Sequence, residues 1–137
     1  MASLVRFGVS LEKKLLESFD RSISGQNYTN RSEAIRDLIR SALVEREWQE
    51  GKEVTGAITL IYDHHKRELT NKLMDIQHDF GKSIISCQHI HLDHNNCLEI
   101  IAVKGSPKEV QRLSDSLRSV KGVKHGSLSM STTGKEI

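Results

Sequence analysis

Leu4-Val5-Arg6-Phe7-Gly8-Val9-Ser10 decides how the first third of the chain is read. Val5, Phe7 and Val9 alternate with Arg6, Gly8 and Ser10, the period of a strand with one buried face. No partner strand follows within hairpin reach, and a lone strand leaves its backbone donors and acceptors unpaired. The simplest remedy is pairing with the same strand of a second chain, which gives a two-stranded antiparallel ribbon and an obligate dimer. Such a ribbon fits the major groove of double-stranded DNA, with Arg6, Gly8 and Ser10 on the face that meets base edges. On pattern alone Arg6 is equally well an ordinary solvent-facing edge charge.

Working outward from that strand, Leu11, Leu15, Phe19 and Ile23 recur every four residues and predict a helix, which Gly25-Gln26-Asn27 ends. A second helix opens at Asn30, with Glu33 three residues on in a capping-box arrangement. Ile35, Leu38, Ile39, Ala42 and Leu43 then form its apolar stripe. Residues 1–48 therefore read as a strand-helix-helix domain, and the polar stretch 49–55 reads as a linker.

Residues 56–130 read as two βαβ passes. Strands near 56–62, 83–92, 97–104 and 124–130 enclose helices near 64–79 and 107–121. The second helix opens on Ser106-Pro107-Lys108-Glu109, a capping box with proline in the first helical position. Its core stripe is Val110, Leu113, Leu117 and Val120. A β-α-β-β-α-β order predicts a ferredoxin-like fold, so the whole chain is α+β. The polar tail 131–137 is expected to be disordered.

Composition narrows the function. The chain has 137 residues, 36% of them apolar, so each domain has a small core and self-association is a natural way to bury more surface. A net charge of +2 excludes a protein that coats polyanions but permits sequence-specific DNA binding. No apolar run is long enough to span a bilayer, and Met1-Ala2-Ser3-Leu4-Val5-Arg6 lacks the pattern of a signal peptide. Two cysteines make no disulfide framework, which points to the cytoplasm.

Six of the seven histidines fall between His64 and His94. His89 and His91 are two apart on a predicted strand and therefore share a face. Asp93-His94-Asn95-Asn96 can reverse the chain and bring Cys97 across from His91. Two imidazoles and a thiolate would then converge as ligands for a borderline or soft cation. Glu99, on the face of Cys97, could accept the second ring proton of a ligand histidine. Cys87 shares the face of His89 and His91, so spacing does not choose between the two thiols. His78 ends the preceding helix, and the strand run to His89 amounts to roughly 20 Å at ~3.3 Å per residue. If it binds the same ion, it should come from a neighbouring subunit. His64, His65, His94 and His125 read as solvated side chains or weak secondary ligands. Glu33 and Asp37, four apart, could hold a cation or pair with nearby arginines.

Arg6-Phe7-Gly8-Val9-Ser10-Leu11 followed by Asn30-Arg31-Ser32-Glu33-Ala34-Ile35-Arg36-Asp37 resembles a ribbon-helix-helix DNA-binding domain. With Gln77-His78, His89-Ile90-His91 and Cys97-Leu98-Glu99-Ile100, nearly the entire chain resembles the nickel-responsive transcriptional regulator family, NikR. The resemblance implies a homotetramer, with ACT-type regulatory domains at its centre flanked by two dimeric DNA-binding domains. It implies one Ni(2+) per subunit in a square-planar site formed by His89, His91 and Cys97 of one subunit and His78 of another. It places Arg6, Gly8 and Ser10 at the base-reading positions, Asn30 and Arg31 at phosphate, and Lys66 and Arg67 on the DNA backbone. Glu33 and Asp37 match a second, lower-affinity cation site. Gly8 departs from the family, which usually carries a hydroxyl side chain there, so the operator sequence does not carry over. The expected role is a cytoplasmic, nickel-dependent repressor of nickel-uptake genes, without catalysis. A metal-dependent hydrolase would need an open coordination position and a general base, and no Gly-x-Ser-x-Gly elbow occurs. A closer rival keeps the DNA-binding domain and lets the second domain sense an amino acid.

Overall fold

A computed structural model describes residues 3–137. The chain divides into two compact units, the first ending at Ser41 and the second running from Ala42 to Ile137.

In the first unit, helix α1 spans Lys13–Gly25, and helix α2 starts at Arg31 and runs on into the second unit as far as Glu50. Residues 3–12 form neither helix nor strand in the single chain. The alternating pattern is there, but no strand among the described residues pairs with it, and Leu4, Val5, Phe7 and Val9 are exposed. Only Ile23 and Ala34 are buried among the described residues of this unit, while Leu15, Leu38 and Ile39 of the predicted stripes face solvent. The cap of α2 is half of the expected box. Asn30 Oδ1 accepts from the Glu33 backbone N–H at 3.0 Å. The Glu33 carboxylate does not reach back to the backbone; it accepts from the Thr29 hydroxyl at 3.0 Å.

The second unit carries strands β1 (Val54–Tyr62), β2 (Ile84–His91), β3 (Cys97–Gly105) and β4 (His125–Met130) with helices α3 (Arg67–Asp79) and α4 (Pro107–Arg118). The sheet is antiparallel throughout, in the order β2-β3-β1-β4. The parallel pair β1 and β2 is thus split by β3, as the ferredoxin-like order requires. Helix α4 starts as its sequence dictates, with Ser106 accepting from the Glu109 N–H at 3.2 Å and proline in the first turn.

One face of the sheet meets the helices. Val54, Ile58, Leu60 and Tyr62 of β1 and Cys97, Ile101 and Val103 of β3 pack with Leu69 and Leu73 of α3 and Val110, Leu113 and Leu117 of α4. Irregular register between Ile84 and Ser86 rephases β2, so that Ile84 still packs on the core while Cys87, His89 and His91 fall opposite Ile101, Glu99 and Cys97.

Between α2 and β1 only residues 51–53 lie outside regular structure. Gly51 turns the chain with φ +76°, and the Lys52 N–H closes on Glu47 O at 3.2 Å. Segment 131–136 is tied down. The Ser131 N–H donates to Thr55 O, Trp48 Nε1 donates to Ser131 O, and the Thr132 hydroxyl donates to the buried Glu47 carboxylate at 3.0 Å. No helix among the described residues is long and apolar enough to cross a membrane.

Candidate metal centre

The β2–β3 ladder sets the site. His91 lies opposite Cys97 and His89 opposite Glu99, all on the helix-covered face. Tight β3 packing buries Cys97 and Glu99, each 1% exposed, whereas β2 is an edge strand and leaves His89 56% exposed. The edge therefore offers imidazoles to solvent beside a thiol and a carboxylate held in the interior.

Glu99 organises the cluster. One oxygen accepts from the Tyr62 hydroxyl at 2.8 Å, and the other accepts from Gln77 Nε2 at 3.1 Å and lies 3.3 Å from His89 Nε2. Tyr62 Oη also sits 3.4 Å from His89 Nδ1. Burial, then the neighbouring Glu99 carboxylate, pushes the Tyr62 phenol far above its ordinary range, so it remains a donor. Burial likewise pushes both thiols up. The two cysteines differ in place: Cys97 faces His91, and Cys87 lies at the other end of the row, its Sγ donating to Gln77 Oε1 at 3.2 Å.

The structure brings His89, His91 and Cys97 onto one face; in the single chain His89 turns to the Glu99 carboxylate and His91 stacks on His64 at 4.3 Å. The converged group among the described residues is Asp63, His64 and His65. The estimate of roughly 20 Å between the end of α3 and His89, at ~3.3 Å per strand residue, misses the geometry. Gln77 reaches Glu99, the partner of His89, so α3 ends over the site. What separates His78 is direction. It is exposed, rotated about 100° around the helix from the inward-facing Gln77.

Sequence reasoning gave no role to Tyr62 or Gln77. The signal for Tyr62 was its phase: it continues the buried series Ile58, Leu60, and a phenol buried at a strand end needs an acceptor. Gln77 had no such mark, since its role depends on the crossing of α3 over β3.

The DNA-facing candidates lie as follows. Arg6, Gly8 and Ser10 are exposed in the segment without regular structure. Arg31 is held in a fork by Asp20, at 2.9 and 2.8 Å, which keeps the Asp20 carboxyl below its ordinary value. Lys66 precedes α3 and Arg67 opens it, both exposed. Asp37 accepts from the Tyr28 hydroxyl at 2.7 Å, so Glu33 and Asp37 each already face a hydroxyl donor.

Comparison with known proteins assigns both halves. Residues 55–131 match the family described as NikR C terminal nickel binding domain, and residues 5–46 match the ribbon-helix-helix proteins of the copG family. A nickel-responsive regulator of Syntrophus aciditrophicus is 63% identical over 135 residues, covering 98% of each chain. One from Chlorobium limicola is 60% identical, covering 98% of this chain and all of its own. The chain belongs to the nickel-responsive regulator family. Its relatives are named as regulators, and the family is not an enzymatic one. An uncharacterized Thermotoga maritima protein shares the fold of the second unit at 14% identity, with a TM-score of 0.53 over 58% of this chain and 98% of that one.

The donor set suits the metal of the family name. Imidazole and thiolate are borderline-to-soft ligands that bind nickel well, and Glu99 stands ready to accept the second ring proton of His89.

Proposed function

We propose that this nickel-responsive regulator is a cytoplasmic repressor of nickel-uptake genes that binds operator DNA when nickel occupies a His3Cys site between subunits. His89, His91 and Cys97 come from one subunit and His78 from another, with one Ni(2+) per subunit. The observation that carries the reading is the register that sets His91 against Cys97 and His89 against the buried Glu99 on an open edge. The outward-facing His78 at the end of α3, over the same site, supports a role toward a second chain.

The first unit supports assembly in its own way. It leaves Leu4, Val5, Phe7, Val9, Leu15, Leu38 and Ile39 uncovered, more apolar surface than a solitary small domain tolerates. Pairing the 4–10 segments of two chains covers that surface and presents Arg6, Gly8 and Ser10 to DNA, with Asn30, Arg31, Lys66 and Arg67 available to phosphate. Two such dimers joined through the second units make the homotetramer. A ligand held by residues of two subunits favours the assembled arrangement that spans an operator, through its different affinity for the two states.

The test is a nickel titration of metal-free protein followed by absorption, comparing wild type with Cys97→Ala and His78→Ala. A thiolate-to-nickel charge-transfer band should appear, vanish in Cys97→Ala and change in His78→Ala. An unchanged band in both variants would show the ligand set to be wrong.

A further inference from the structure

Tyr62, Cys97 and His91 form one row across three strands, from β1 through β3 to the edge strand β2. Just past Tyr62 the chain leaves β1 in a turn. The Lys66 N–H closes it on Asp63 O at 3.2 Å, and the His65 N–H donates to Asp63 Oδ1 at 2.9 Å. That turn carries the ring of His64 to the His91 end of the row. The two rings lie 4.3 Å apart and nearly parallel, at 8°. The ring of His65 lies 4.2 Å from that of His64 and is tilted by 38°.

His91 has need of such a neighbour. It is exposed on an edge strand, where a solvated imidazole turns readily about its last side-chain torsion. His89 is steered by hydrogen-bonding groups, the Glu99 carboxylate and the Tyr62 hydroxyl. What lies against His91 is the flat face of His64. His64 is half-buried, and its Nδ1 is enclosed without a hydrogen-bond partner. At this position the ring therefore works through its face and not through that nitrogen.

We propose that His64 is a positioning residue of the nickel centre, a platform that fixes the plane of the His91 ring and so presents it to the ion. The inference rests on the His3Cys reading, in which His91 is a ligand. A ligand ring already held in one orientation gives up less freedom when the ion binds. Removing the platform should therefore weaken nickel binding and leave the donor set as it was. The face-to-face contact of one aromatic pair sets the scale, about two- to tenfold in an equilibrium constant. The role asks for a flat ring at position 64, whatever its chemistry.

Nickel titration of the full chain in competition with a chelator tests it, comparing wild type, His64→Ala, His64→Phe and His91→Ala, with circular dichroism as the check on folding. His64→Ala should bind nickel about two- to tenfold more weakly, with its thiolate-to-nickel band unmoved. His64→Phe restores a flat ring without a nitrogen and should bind as wild type does. NMR of the metal-free protein gives a second reading. The ring protons of His91 should be shifted upfield by the ring beneath them, move downfield in His64→Ala and stay upfield in His64→Phe. Should His91→Ala leave nickel affinity unchanged, the His3Cys reading fails and takes this proposal with it. Should His91→Ala abolish tight binding while His64→Ala matches wild type, or His64→Phe prove as weak as His64→Ala, the proposal alone is overturned.

Discussion

The carboxylate of Glu99 and the phenol of Tyr62 meet at 2.8 Å in the interior, on neighbouring strands and two residues out of register. This bond holds a carboxylate that is 1% exposed, with Gln77 and His89 as its other neighbours. Tyr62→Phe removes the donor without changing the volume of the ring. It should destabilise the second unit by about 1.5–3 kcal/mol, the usual worth of a hydrogen bond to a charged group. Urea denaturation of the two proteins measures it, and a change below about 0.5 kcal/mol, the scale of a neutral surface substitution, would count against the bond.

Arg31 is expected at phosphate, yet Asp20 already holds its guanidinium. Asp20→Asn should release it. Binding to a generic duplex should then tighten, and the slope of log affinity against log salt should steepen by about 0.9, one added phosphate contact. Fluorescence anisotropy across a salt series reads both. An unchanged slope would mean that Arg31 makes no phosphate contact.

The same pair sets a pH dependence. The Asp20 carboxyl is held below its ordinary value by the Arg31 hydrogen bond. Its contribution is therefore complete above the unfolded-state pKa and is lost as pH falls through the lower folded-state value. A carboxyl titration by NMR should place Asp20 below the ordinary aspartate value, and Arg31→Ala should return it upward.

Thr132 donates to Glu47, a buried carboxylate near the end of α2. Thr132→Val keeps the shape and removes the donor, at an expected cost of about 1–3 kcal/mol. For a unit of this size that lowers the melting temperature by roughly 4–8 °C per kcal/mol. Differential scanning calorimetry would settle whether the tail is part of the fold or a passenger.

Two glycines separate rigid from yielding contacts. A methyl on Gly56 would meet the backbone oxygen of Ser129 at 2.8 Å, and one on Gly126 would meet the flexible Arg118 side chain at 2.6 Å. Gly56→Ala should cost about 1–3 kcal/mol as an overpacked core site, and Gly126→Ala distinctly less. Equal costs in a denaturation experiment would mean that Arg118 cannot move aside.

Much of this architecture is legible in the residues. Ser106-Pro107 and Glu109 start α4 where the capping rule puts it, and the alternation of β1 and β3 marks the buried face because both strands are central. Other features depend on parts of the chain far apart in sequence. The tail looked too polar to hold, but its partners, Glu47, Trp48 and Thr55, lie more than seventy residues away. The strand pattern at 4–10 is plain, yet a single chain has nothing to pair with it. Spacing put His89 and His91 on the correct face but could not foresee that a buried Glu99 would turn one ring and His64 would stack on the other.

The edge position of β2 has a further consequence. Apart from Cys97, none of the proposed ligands belongs to the twelve-residue core, which α3, α4, β1 and β3 complete among themselves. Small zinc domains derive their folding from the ion and unravel under chelators. This unit is built in the other order, with a finished scaffold whose margin carries the proposed donors. The second unit should therefore keep its helices and sheet when a chelator strips it of metal, an outcome that circular dichroism reads directly.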